Sequence, residues 1–185
     1  MHKLWCLLIC AIPAWPAVVD SAGNGFTVRT TLEIHAPPDQ VYKQLLNIGS
    51  WWNSEHTFSG DAHNLSLEEK PMGCFCEKLP GQGAVRHMEV VNFAPGKSMV
   101  LTGALGPLQS LAVTGSMTVV LAPVANTNDA KTDTKNGNTK LQVTYAVTGY
   151  LAGGLQIWAA PVDSVVSQQF TRLKSYVEQN QTVQK

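Results

Sequence analysis

Near the C-terminus apolar residues return every third or fourth position: Val162, Val166, Phe170, Leu173 and Val177, with Gln168, Arg172, Lys174 and Glu178 between them. That spacing predicts a helix with one dry face and one wet face. Pro161 suits its first turn, where a missing N–H costs nothing, and the tail at residues 179–185 carries no further apolar stripe. The helix is expected over residues 160–179.

Residues 26–35 change the period to two. Phe26, Val28, Leu32 and Ile34 fall on one side, and Thr27, Arg29, Thr31, Glu33 and His35 on the other, as in a half-buried strand. Pro37-Pro38-Asp39 interrupts the alternation. Val41, Tyr42, Leu45 and Leu46 then resume helical spacing, so a short helix starts on the prolines and stops at residues 47–49. Ser50-Trp51-Trp52 follows, either as a second helical turn or as a loop.

Residues 65–150 read as strand and turn. Segments 73–79 and 84–93 are separated by Pro80-Gly81-Gln82-Gly83, and 98–103 follows Ala94-Pro95-Gly96-Lys97, both hairpin turn chemistry. Val113, Met117, Val119 and Leu121 alternate with Thr114, Ser116, Thr118 and Val120, as Leu141, Val143, Tyr145 and Val147 do with Lys140, Gln142, Thr144 and Ala146. Residues 126–138, rich in Asn, Asp, Lys and Thr, are expected to be a solvated loop between the last two strands. If Pro95-Gly96 is a two-residue turn, Asn92 faces Met99, Val90 faces Leu101 and Met88 faces Gly103. Carried across the preceding turn, the same register pairs Phe75 with Met88 and Glu77 with Arg86, which puts a Glu and an Arg on the concave face. Cys74, Cys76, His87 and Glu89 then turn to the convex face, where they could form a metal or redox site or lie idle. A one-residue bulge would reverse that assignment.

The chain of 185 residues fits a single domain, and 44% hydrophobic residues suffice for a core. Thirteen basic and thirteen acidic residues leave no net charge to attract nucleic acid or an anionic membrane. The start differs from the rest. Met1-His2-Lys3 is short and positive, residues 4–14 form an apolar run too short to span a bilayer, and small residues follow. We read residues 1–23 as a secretory signal, with cleavage after Ala17 or Ala22, and residues 24–185 as the mature domain, periplasmic or secreted and without stable membrane insertion. Of four cysteines, Cys6 and Cys10 leave with the signal. Cys74 and Cys76 sit two apart on one strand face, with Cα atoms about 6.5 to 7 Å apart, which disfavours a disulfide.

Catalytic motifs are mostly lacking. The sequence has no Gly-x-Ser-x-Gly elbow, no phosphate-cradling Gly-rich loop and no His-Glu-x-x-His. Glu55, His56, Asp61 and His63 cluster after the tryptophans, but loop residues of these types are commonly just solvated, so no metal and no cofactor are expected.

The opening Ile34-His35-Ala36-Pro37-Pro38-Asp39-Gln40-Val41-Tyr42, the Trp51-Trp52 pair, the strand block and the closing helix together resemble the START-like, or SRPBCC, superfamily. That superfamily includes polyketide cyclase/dehydrase-like and Hsp90-ATPase-activator-like proteins. The resemblance covers residues 26–180. It implies an α+β helix-grip fold: a seven-stranded antiparallel sheet wrapped round the long C-terminal helix, two short helices after the first strand, and an apolar pocket between sheet and helix.

Two functions fit such a pocket. The chain could bind or transport a small apolar molecule, with Glu77 and Arg86 fixing a polar end, or act as a cyclase- or dehydratase-like enzyme on a polyketide or aromatic substrate with the same pair moving protons. Binding is favoured, since no histidine or tyrosine is clearly placed beside the pair; Tyr145 is the nearest inward candidate. Trp51 or Trp52 is expected at the mouth. Phe75, Met88, Leu101, Met117, Val119, Tyr145, Val147, Trp158, Val166 and Phe170 complete the expected ligand-binding set.

Overall fold

The computed structural model describes residues 17–124 and 137–182. Among them, β1 (Ala17–Ala22), β2 (Gly25–Ile34), β3 (Leu65–Leu67), β4 (Cys74–Lys78), β5 (Ala84–Ala94), β6 (Ser98–Thr102), β7 (Ala112–Pro123) and β8 (Thr139–Tyr150) form one antiparallel sheet. From edge to edge the order is β1-β2-β8-β7-β6-β5-β4-β3. Helix α1 (Pro38–Leu46) and three 3-10 turns, Ile48–Ser50, Ser54–His56 and Ala62–Asn64, fill the span between β2 and β3. Helix α2 (Ala159–Thr182) lies against the inner face, with β2 its main partner. This is the expected α+β helix-grip arrangement.

The sheet has eight strands rather than seven. The additional one, β1, pairs with β2 and is built from residues expected to fall inside the signal. Residues 1–16 and most of the polar loop expected at residues 126–138 lie outside the described residues. No described helix is long and apolar enough to cross a membrane.

The core follows from the two periodicities. On β2, Phe26, Val28, Leu32 and Ile34 are buried together with Thr30, whose hydroxyl meets the Ser167 hydroxyl of α2 at 2.8 Å. That bond satisfies two polar groups where sheet and helix touch. On α2, Val166, Phe170, Leu173 and Val177 are buried as their spacing requires. Inner positions of β7 and β8, Met117, Val119, Leu121, Leu141, Val143, Tyr145 and Val147, fill the space beneath the helix.

β5 departs from simple alternation in two places. Phe75 pairs with Met88 as expected, but Cys76 then pairs with Arg86, so His87 is an extra residue in the ladder. Val90 pairs with Leu101 as expected, but Phe93 rather than Asn92 pairs with Met99, so Val91 is a second extra residue. A bulge puts two neighbouring side chains on one face. His87 and Met88 are accordingly both buried, while Arg86 is exposed. Gly103 makes this possible: its φ is +146°, and a Cβ there would stand 2.7 Å from the His87 carbonyl oxygen.

Cys74 and Cys76 are joined by a disulfide, contrary to the expectation of free thiols. Their Cα atoms are 5.2 Å apart, closer than in a fully extended strand and within the range a disulfide spans. The expectation assumed full extension, and β4 is contracted here.

Candidate functional site

A cavity of about 390 Å³ opens between the start of α2, the loop after α1 and the loop after β6. The turn before α2 and its first two turns contribute Trp158, Pro161, Val162, Val165 and Val166. Trp52, Thr57 and Phe58 come from the loop after α1, and Leu105, Pro107 and Leu108 from the loop after β6. Glu55 and His56 stand exposed at the mouth, and His87 alone enters from the sheet. The walls are mostly apolar carbon.

Side chains of α2 fix the first of these loops. Gln169 Oε1 accepts from the Asn53 backbone N–H at 2.8 Å, and Arg172 Nε donates to the Trp51 carbonyl at 2.9 Å. Trp52 Nε1 donates to the His56 carbonyl at 3.0 Å, folding the loop around its own indole. The loop after β6 is held from beneath. The Tyr145 hydroxyl donates to the Gly103 carbonyl and accepts from the Leu105 N–H, both at 3.2 Å. Burial pushes the Tyr145 phenol up to about 12, so it stays a neutral hydroxyl able to serve both partners.

At the inner wall stands a buried acid and imidazole. Glu77 Oε2 accepts from His87 Nε2 at 2.9 Å and from the Phe58 N–H at 3.1 Å, and Oε1 accepts from the Ser59 N–H. Glu77 is 1% exposed and His87 6%. Burial opposes the carboxylate's charge, but the hydrogen bonds from Ser59, Phe58 and His87 outweigh it and hold Glu77 below its ordinary range. Burial lowers His87 below its ordinary 6.5, and the opposing pull of Glu77 does not restore it. The pair is an ionised Glu beside a neutral imidazole. The ring lies between two phenyl groups, Phe75 with its centroid at 4.8 Å and Phe58 at 5.9 Å.

Of the expected ligand-binding residues, Trp52, Trp158 and Val166 line the cavity. Phe75 and Glu77 stand directly behind its wall, touching Trp52 and His87. Trp51, Met88, Leu101, Met117, Val119, Tyr145, Val147 and Phe170 are sealed in the core. Trp51 donates its N–H to the Gln44 carbonyl at 2.9 Å within the core, so of the two tryptophans it is Trp52 that lines the cavity.

Arg86 requires correction. The bulge at His87 turns it to the convex face, where its guanidinium meets Glu89 at 2.9 Å with 68% of the side chain exposed. Glu77 faces inward as expected, but its partner is the next residue along the strand. His87 was legible only as the residue a bulge would bring in. The wall at residues 105–108 follows no periodicity that could have announced it.

Among the loop residues weighed as metal ligands, Asp61 Oδ1 bonds His63 Nδ1 at 2.8 Å on the surface, while His56 bonds Gln168 at 3.1 Å. Among the described residues no group of three or more His, Cys, Asp or Glu side chains converges on one point.

No sequence-family model matches the chain, and no curated protein sequence matches it. Solved structures do. CalU16 from Micromonospora echinospora superposes with a TM-score of 0.56 at 11% identity, covering 89% of this chain and 83% of its own. Ara h 8.0201 gives a TM-score of 0.54 at 14% identity, covering 83% and 97%. MLL2253 from Mesorhizobium loti gives 0.53 at 15% identity, covering 83% and 97%. At these identities the likeness establishes the fold alone, a helix-grip arrangement of antiparallel sheet and long C-terminal helix.

Proposed function

We propose that this chain binds a small, largely apolar molecule in the cavity beside α2, with His87 meeting its polar group. The supporting observation is a cavity of about 390 Å³ whose mostly apolar wall is interrupted on the sheet side by one buried, hydrogen-bonded imidazole. Small-molecule sites of this kind pair an apolar lining with a few placed polar groups. Native mass spectrometry of the chain purified from its host would identify a retained ligand. Calorimetry with two-ring aromatic probes is expected to show one-to-one binding with a negative heat-capacity change, lost in Val166→Trp, which fills the cavity. Binding that survives Val166→Trp unchanged would place the ligand elsewhere.

A cyclase- or dehydratase-like activity is the second reading. It is favoured by one observation: an ionised carboxylate orients a neutral imidazole at the cavity wall, the arrangement general acid–base chemistry uses. Turnover of a polyketide-like substrate that disappears in His87→Leu but persists in Arg86→Ala would support it.

We also propose export to the periplasm or the exterior, on the positive start and short apolar run. Of the two cleavage points, the one after Ala17 keeps Val18 through Ala22 paired with β2. N-terminal sequencing of the fractionated protein tests both points, and an intact Met1 in the cytoplasm would refute export.

A further inference from the structure

The dyad fixes which kind of polar group the cavity can accept. Glu77 takes backbone N–H donors on both carboxylate oxygens, from Ser59 and Phe58, and neither donor can become an acceptor. Its carboxylate therefore acts as acceptor throughout, and the hydrogen shared with His87 sits on Nε2. A neutral imidazole with its hydrogen on Nε2 offers only a lone pair at Nδ1. Among the described residues nothing hydrogen-bonds that nitrogen, the ring lines the cavity, and 95% of the side chain is out of water. Phe58 and Phe75 flank the ring. The remaining polar atom of a ring that lines the cavity can thus serve a ligand only as an acceptor, with a negative charge one ring-width behind it.

We propose, on the strength of the binding reading above, that the ligand is a compact apolar molecule ending in a hydrogen-bond donor, an alcohol or phenol, and that His87 Nδ1 selects it against carboxylates and against acceptor-only ethers and ketones. A hydroxyl donates to Nδ1. An ether or ketone oxygen meets lone pair with lone pair, and a carboxylate adds repulsion from Glu77. Glu77 is the ionisable group touching the ring, and Glu55 and His56 line the same cavity from its exposed mouth. Arg86, which would have favoured an acidic end, stands on the other face of the sheet.

The test is a series on one carbon skeleton, titrated into the unaltered chain by calorimetry: naphthalene, 2-naphthol, 2-methoxynaphthalene and 2-naphthoate. One hydrogen bond gained in a buried site predicts 2-naphthol binding about tenfold tighter than 2-methoxynaphthalene, with 2-naphthoate weaker than 2-naphthol. In His87→Leu the preference for 2-naphthol over 2-methoxynaphthalene is expected to vanish while both still bind. Should all four compounds bind the unaltered chain equally, the cavity binds apolar molecules but His87 does not select among them, and this inference fails while the binding reading stands. Tighter binding of 2-naphthoate than of 2-naphthol overturns it as well. If none of the four binds, the binding reading falls and takes the inference with it. The comparison within the unaltered chain decides the matter even if His87→Leu does not fold.

Discussion

His87 Nε2 lies 2.9 Å from Glu77 Oε2, and both side chains are withdrawn from water, His87 in the cavity wall and Glu77 behind it. The two residues belong to adjacent strands and face each other only because β5 bulges at His87. Folding therefore fixes both the charge of one partner and the tautomer of the other.

Stability should fall as the medium is acidified. Below about pH 6.5 an unfolded chain protonates this histidine while the folded one keeps it neutral, so acid favours unfolding until folded His87 takes its proton. Glu77 adds a second loss below about pH 4.5, since its folded-state pKa is depressed. Asp163, raised by burial, works the other way and destabilises the fold once it ionises. The urea midpoint followed from pH 8 to pH 4 is expected to drop first below 6.5, and that first drop should be absent in His87→Gln. A flat midpoint between pH 7 and 5.5 in the unaltered chain would contradict the burial of a neutral His87.

Gly103→Ala should destabilise the chain by about 1–3 kcal/mol, because its φ suits glycine and the new methyl meets the backbone of the bulge. Urea denaturation measures the loss. The ring signals of His87 in NMR should shift too, since the intruding Cβ pushes on its carbonyl.

Tyr145→Phe removes a buried hydroxyl that serves Gly103 and Leu105 together. The orphaned Leu105 N–H and Gly103 carbonyl predict a cost of about 1–3 kcal/mol. Because Leu105 lines the cavity, probe affinity should fall as well. Unchanged denaturation midpoint and affinity would show that the loop after β6 is held by other means.

Arg86→Ala should leave probe binding untouched. Its ion pair with Glu89 is exposed, so the stability change is expected to stay within about 1 kcal/mol. Calorimetry on this variant beside His87→Leu separates the two faces of β5: a loss of affinity in Arg86→Ala would mean that the strand register is wrong.

Much of this architecture could be read from spacing. The dry stripe of α2, the alternation of β2, β7 and β8, the pairing of Phe75 with Met88 and the inward turn of Glu77 all follow from period 3.6 or period 2. His87 could not be placed in the same way. The run Arg86-His87-Met88-Glu89-Val90-Val91-Asn92 supports an unbroken strand as readily as a bulged one, and each bulge shifts every later side chain by one face. The cavity was expected along the whole helix–sheet interface. Met117, Tyr145 and Phe170 are large, buried side chains that close its middle, and the cavity lies near the start of α2, where loops rather than strands complete most of the wall. Loop positions carry no periodic signal.

β2 is hydrogen-bonded along its whole length to β8, from Gly25 opposite Thr148 to Ile34 opposite Thr139. More than a hundred residues separate these partners in the chain, so during synthesis the first long strand has only the short β1 beside it until β8 has been made. Zipping the centre of the sheet has to await β8, which joins β2 to β7. A ribosome-bound fragment that stops before Thr139 holds no finished sheet for α2 to grip.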